Sequence, residues 1–239
     1  ELAGTEFASG LEVEKLGEIT LECVESQLRD RTRLVALASC HYVSGYRIDH
    51  DAIGKMLRKR GVLFALDAIQ TVGAFPTNVA NVDFMAADSH KWMLGPSAAG
   101  ILYVAESAQS RLKTRAFGWH NVKCNNFVTA EELELVNGAR RLEAGTHNLL
   151  GLLGLDAALR LLDEIGQEEI ATELIAKRQW LVNEITDRGY QALSARIPSL
   201  NTGGMLSFGH TKRDMAEVFR RLLEHDIYGS LRQTRDGRS

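Results

Sequence analysis

Cysteine is scarce in this chain, long apolar runs are missing, and neither sign of charge dominates. The three cysteines, Cys23, Cys40 and Cys124, stand far apart without a CxxC spacing. An odd, scattered set argues against a disulfide framework or a zinc site and fits reduced thiols in a cytoplasmic protein. No apolar stretch reaches the roughly 18 to 20 residues that a bilayer span requires, so no membrane partner is expected. Lys and Arg number 28 against 31 Asp and Glu, a formal net charge of −3. That balance leaves no basic footprint for nucleic acid or an anionic membrane. Neither GxGxxG nor GxxxxGK occurs, which ranks nucleotide binding lowest among the function classes. No secretory signal is visible, and the chain opens on Glu1 rather than Met, so its natural start is expected to lie elsewhere.

What is present is an ordinary globular balance, 45% hydrophobic and 25% charged over 239 residues, enough for one large or two modest domains. Thr20 is placed to cap a helix whose Leu21, Val24 and Leu28 share one face. Short apolar runs at 34–38 and 62–66 suit parallel strands covered on both faces. Between them, Asp49 caps a helix burying Ile53, Met56 and Leu57, with Arg58, Lys59 and Arg60 in its last turn and Gly61 as its stop. Strand, helix and strand in succession predict a right-handed crossover and a parallel sheet. Further strands are expected at 84–87 and 100–104. Residues 148–165, rich in Leu and Ala, read as a long helix buried on most sides. Gly166 is the candidate boundary between a large domain over 1–166 and a smaller α+β unit over 167–239. In that unit a surface helix carries Ile170, Leu174, Leu181 and Ile185, a strand spans 205–208, and a last amphipathic helix carries Met215, Val218, Phe219, Leu222 and Leu223.

The stretch from Ala65 to Met93 carries the chemistry. Asp67 follows five apolar residues, where a carboxylate is costly unless it meets a cation or donors. Ligands of parallel sheets bind beyond the carboxyl ends of the strands, which is where Asp67 falls. The bland reading is a turn or helix-cap residue. Lys91 lies among His90, Trp92, Met93 and Leu94, and such surroundings favour the neutral amine that imine chemistry needs. Its bland reading is solvated surface charge. Ser89 and His90 can donate hydrogen bonds to a phosphate, or simply form a strand-end turn. An acid at the end of one strand and an amine at the end of a later one are the two electrostatic handles that pyridoxal phosphate requires.

Taken together, Asp67-Ala68-Ile69-Gln70, Ser89-His90-Lys91, Gly95-Pro96 and the Gly-Ile-Leu-Tyr-Val strand resemble the class V aminotransferase family. Gly118-Trp119 with Val122, Arg141 to Thr146, and Gly203 to Phe208 agree in order, so the similarity runs from about Leu34 onward. The family includes cysteine desulfurases and isopenicillin N epimerase-like proteins. The resemblance implies an α/β fold: part of a fold type I large domain with a mostly parallel sheet, plus a smaller C-terminal α+β domain. It implies pyridoxal 5'-phosphate as cofactor, held by Asp67, Gln70, Ser89, His90, Lys91 and Thr146. Lys91 would be the catalytic residue, forming the Schiff base and then shuttling the substrate's α-proton. Asp67 would pair with the pyridine nitrogen, Gln70 with the 3-hydroxyl, and Ser89 and His90 with the phosphate. Thr146 would reach a phosphate in a neighbouring subunit, so a homodimer with shared active sites is expected.

Several positions depart from the family pattern. Asp88 stands where desulfurases carry a Ser, Tyr42 where they carry an Asn, and His147 where a Pro is usual. No cysteine occurs from Asn125 to Ser239, which disfavours sulfur transfer. The family's phosphate-cradling N-terminal part and its C-terminal carboxylate-binding Arg lie outside this sequence; Arg232 and Arg235 are conceivable substitutes, with a solvated basic tail as the bland reading. The expected activity is therefore aminotransferase-like, on an amino acid or related amine. Epimerase or lyase chemistry on the same cofactor, and a non-catalytic dimeric relative, are the alternatives.

Overall fold

The computed structural model describes residues 10–123 and 133–232. Cys124 and Arg235 lie outside them. Four strands form one sheet in chain order: β1 (Leu34–Ala38), β2 (Leu63–Asp67), β3 (Phe84–Asp88) and β4 (Gly100–Val104). β1, β2 and β3 run parallel, and β4 returns antiparallel beside β3 with Ala86 opposite Leu102. The mostly parallel α/β sheet is thus as expected; the antiparallel edge strand carries no sequence signal of its own.

Two helices precede or cross over between the first strands. α1 (Leu21–Gln27) begins where the Thr20 hydroxyl accepts the Cys23 N–H at 3.2 Å. α2 (His50–Lys59) begins at Asp49, whose carboxylate accepts from Ala52 N–H at 3.0 Å. Such a side-chain cap satisfies one of the donors that a helix start leaves open and is worth on the order of 1 kcal/mol. α2 buries Ile53 and Leu57 completely against the sheet, alongside Phe64, Leu66 and Met85. Burial of each such side chain contributes roughly 1.5–3 kcal/mol.

Among the described residues only one face of the sheet is covered. Val35, Leu37, Phe64, Leu66, Met85 and Ala87 point to the core, while Leu34 is 50% and Leu102 57% exposed and Ala36 and Ala86 lie open with them. The expectation of strands covered on both faces is therefore corrected. Continuous apolar runs do not say which face a partner covers, and here the crossover helix packs on one side only.

After a short helix α3 (Glu106–Gln109) and a 3-10 turn at Ala139–Leu142, α4 (Leu149–Ile165) and α5 (Gln167–Asp187) meet at Gly166, whose φ is 92°. α4 is not buried on most sides as expected. Only Gly151, Leu155 and Leu162 are buried, and Leu149, Leu150, Leu153 and Leu161 are exposed. It meets the loop between β3 and β4 through one stripe near Pro96 and Ala99 and leaves the rest uncovered among the described residues. In the C-terminal part, β5 (Gln191–Ala192) pairs antiparallel with β6 (Phe208–Gly209), followed by α6 (Met215–Glu224). The strand expected at 205–208 is shorter and later: Ser207 O still accepts from Leu193 N–H at 2.8 Å, but the ladder is confined to Phe208 and Gly209, and the Met205 carbonyl is taken by Arg178.

Candidate functional site

The carboxyl ends of β1, β2 and β3 lie side by side and hold most of the expected site. Asp67 is the last residue of β2, in register with Ala38 and Ala86. Its carbonyl accepts from Ser39 N–H, and the next N–H, of Ala68, donates to Ala86, both at 2.8 Å. These bonds clamp the backbone from both sides. Strand alternation buries Leu66 and Ala68 and sets Asp67 on the open face. One carboxylate oxygen accepts from Ile69 N–H at 3.1 Å, and the other has no partner among the described residues.

The chain then winds through a tight turn in which Val72 N–H donates to Ala68 and Phe75 N–H to Thr71. Gln70 lies in this turn, half-buried, its amide unpartnered among the described residues. Thr71 is buried and donates to the Ser39 hydroxyl at 2.8 Å, tying the turn to the end of β1.

Lys91 follows β3 by three residues. The loop that carries it is pinned by Ser89, which is fully buried: its N–H donates to Ala99 O and Asp88 Oδ1, its carbonyl accepts from Gly95, and its hydroxyl donates to Pro96 O. A side chain at Gly95 would meet the Ser89 Cβ at 2.8 Å, so only glycine lets the loop close this tightly. The hydroxyl expected to meet a phosphate is thus engaged with the Pro96 carbonyl. Asp88 and His90 are exposed and paired, His90 Nδ1 lying 3.1 Å from Asp88 Oδ2.

Lys91 is exposed, with no partner among the described residues. The desolvation expected from its neighbours is not found, because Met93 turns into the core and Trp92 packs over Gly204. Thr146 is also exposed, in the loop that ends at the Asn148 cap of α4.

The setting of His41 and the pairing of Arg232 with Tyr42 carried no sequence signal. His41, past β1, accepts with Nδ1 from the N–H of Ser44 at 3.1 Å, and its ring lies 5.3 Å from that of Tyr42. Burial lowers its pKa below the ordinary imidazole value. Arg232 places its guanidinium carbon 5.6 Å from the Tyr42 ring, a cation–π approach that brings one of the two candidate arginines to the loop after β1. A lone Tyr and a near-terminal Arg offer nothing periodic to read.

An acid, an amide and an amine, each with open polar atoms, follow the carboxyl ends of adjacent parallel strands in an α/β protein, the place where such sheets bind their ligands. The family is equally plain. The Aminotransferase class-V model matches residues 8–230, and the chain belongs to that family. It is 30% identical over 182 residues to the uncharacterized aminotransferase YcbU of Bacillus subtilis, covering 75% of this chain and 48% of that one. It is 33% identical over 165 residues to the cysteine desulfurase IscS of Shewanella sp. strain ANA-3, covering 68% and 35%. Among solved structures it resembles a C-DES mutant with glycine covalently linked to its PLP cofactor, with TM-score 0.76 and 23% identity over 90% of this chain and 57% of that one. The chain thus spans less than half the length of these curated relatives.

Proposed function

We propose that this chain is part of a pyridoxal-phosphate-dependent enzyme acting on an amino acid or related amine, aminotransferase-like, with Lys91 as its catalytic amine. The observation that carries the reading is the set of three open polar groups, Asp67, Gln70 and Lys91, at the ends of β2 and β3. Their chemistry fits the cofactor: a carboxylate for a protonated ring nitrogen, an amide for a ring hydroxyl, and an amine for an aldehyde. When bound, the cofactor supplies the electron sink for the substrate's α-carbon. Asp67, with one oxygen already held by Ile69, would keep the proton on the pyridine nitrogen. Gln70 would orient the ring through its amide. Lys91, once freed by the incoming amine, would take and return the proton at the α-carbon. His90, steadied by Asp88, would contact the phosphate, and Ser89 could join it only by turning its hydroxyl from Pro96.

Thr146 would reach the phosphate of a second copy, making the active assembly a homodimer. The exposed leucines of α4, starting three residues beyond Thr146, support that part of the reading. No helix among the described residues is long and apolar enough to cross a membrane. Cytoplasmic residence is the compartment consistent with the free thiols Cys23 and Cys40.

The test is the visible absorption spectrum of the protein followed by borohydride reduction and peptide mass spectrometry. A pyridoxyl mass on Lys91 is expected, and a reduced protein without it rejects the reading. Lyase chemistry is the second reading favoured by an observation, since IscS and other relatives bear the name cysteine desulfurase. Incubation with cysteine and, separately, with alanine and a keto acid separates the two. Sulfide release indicates the lyase, amine transfer the aminotransferase.

A further inference from the structure

Arg47 holds a position that the proposed chemistry at Lys91 does not use. Its backbone is fixed: its N–H donates to Asn201 O at 2.7 Å, its carbonyl accepts from the Asn201 amide at 2.9 Å, and it bridges to Cys40. Its guanidinium carbon lies 4.2 Å from the centre of the ring of Phe75, itself buried. Nε is shut off from solvent without an acceptor. Among the described residues no side-chain hydrogen bond from Arg47 is made and no carboxylate comes within ion-pair distance. Arg178, the other arginine beside Cys40, shows how the fold treats a buried guanidinium when it is purely structural. Its donors meet the carbonyls of Met205 and Ser194, each at 3.1 Å. Arg47 is half-buried and stays charged, and its Nε, cut off from water without an acceptor, is a polar group left unpaired at a cost.

The open guanidinium lines a cavity of about 200 Å³ together with Asp49, Asp51, Thr71, Phe75 and Asn78. Neither Asp67, Gln70 nor Lys91 lines it, so it is separate from the strand-end site. Asp49 uses one oxygen to cap α2, and Asp51 uses one to accept from Asn81 at 2.8 Å and from Asn78 at 3.5 Å, leaving a second oxygen on each. One cation and two carboxylates therefore share one small chamber without pairing. A dianion such as phosphate would be repelled by both acids, and a simple amine would leave Arg47 without an acceptor. A zwitterion satisfies both ends.

We propose that this cavity binds a small α-amino acid. Its carboxylate is held by the Arg47 fork over Phe75, and its ammonium by the free oxygens of Asp49 and Asp51. Bidentate pairing with a carboxylate is what a planar guanidinium does best. The volume lies below the roughly 300–1,000 Å³ of pockets for larger ligands, which restricts the side chain to a hydrogen or a few carbons. Thr71 lines the cavity and donates to Ser39, whose N–H holds the Asp67 carbonyl, so two hydrogen bonds link the cavity wall to the strand-end site.

The test is calorimetric titration of borohydride-treated protein with glycine, acetate and methylammonium. Reduction locks any cofactor on Lys91, so glycine has no imine to exchange with there. Wild type should bind glycine at least about tenfold more tightly than acetate or methylammonium, because each lacks one charge-assisted contact. Arg47→Gln should weaken glycine binding by a similar factor, Arg47→Lys by less, and Asp51→Asn measurably. If Arg47→Gln does not fold, Asp51→Asn and the wild-type comparison of the three probes still decide. Absence of glycine heat, acetate binding as tight as glycine, or unchanged affinity in Arg47→Gln and Asp51→Asn each overturns the proposal. The pyridoxyl adduct on Lys91 is scored separately, so the site can stand if the cofactor reading falls, and the reverse.

Discussion

A Cβ built on Gly73 would lie 2.4 Å from the carbonyl oxygen of Trp92. That approach presses the turn carrying Gln70 against the loop carrying Lys91, and Gly73 also holds φ at 92°. Gly73→Ala must both strain the backbone and push the two loops apart. Left-handed strain alone costs on the order of 1–3 kcal/mol. Urea denaturation should show a loss at least that large, and the variant should load less pyridoxal phosphate on Lys91 at equal concentration. A variant of wild-type stability and loading would mean that the two loops are positioned by something else.

Ser89 offers a sharper split between a structural and a ligand role. Its buried hydroxyl donates to Pro96 O, so Ser89→Ala removes that hydrogen bond from the loop. Such a loss costs about 0.5–1.5 kcal/mol. Denaturant midpoints should therefore fall even in protein stripped of cofactor. A phosphate-binding role predicts the opposite pattern: stripped protein as stable as wild type, and weakened cofactor affinity.

Periodicity and capping chemistry made much of this fold legible. Thr20 and Asp49 announced α1 and α2, and β1 and β4 fall at the expected residues, because caps and short apolar runs are local signals. Asp67 and Lys91 were readable as an acid and an amine at strand ends for the same reason. What was not legible depends on distant partners. The open face of the sheet, the bare stripe of α4 and the exposure of Lys91 are decided by what packs from elsewhere, and an apolar residue reads alike in either case. Arg47 carries no local signal, since Phe75 and Asn201, which give it its setting, lie 28 and 154 residues away.

Leu150 is 83% exposed on α4, four residues beyond Thr146. If a second copy covers this stripe, Leu150→Glu should shift the sedimentation equilibrium toward monomer while leaving the thermal unfolding of the monomer within about 0.5 kcal/mol of wild type, as for other open surface positions. Unaltered self-association would place the subunit contact elsewhere.

His41 supplies an acid-side signature. Its folded pKa lies below the ordinary 6.5 because burial disfavours the imidazolium. The unfolded chain therefore takes up the proton first as pH falls. The stability this neutral ring contributes is present above about pH 6.5 and lost as pH drops below it toward the folded value. Urea unfolding at pH 7.5 and 5.5 should show a decline that is smaller in His41→Gln. Equal declines in both proteins would show that other groups set the acid limit.

Cys40 gives the matching limit at alkaline pH. Burial raises its thiol to about 12, outweighing the nearby Arg47 and Arg178 charges, which pull the other way. An unfolded thiol ionises near its ordinary 9.0, so between pH 9 and about 12 the unfolded chain holds fewer protons than the folded one. Stability is therefore intact below pH 9 and falls as pH rises toward 12, by up to roughly 1.4 kcal/mol for each unit. The same burial keeps the thiolate, the reactive form, unpopulated at neutral pH. Alkylation with iodoacetamide at pH 8, mapped by peptide mass spectrometry, should modify Cys23 in native protein and Cys40 only after denaturation. Cys40→Ala should flatten the alkaline decline in urea midpoints. Rapid native alkylation of Cys40 would show that the thiol is reached by solvent, and would remove burial as the force that raises it.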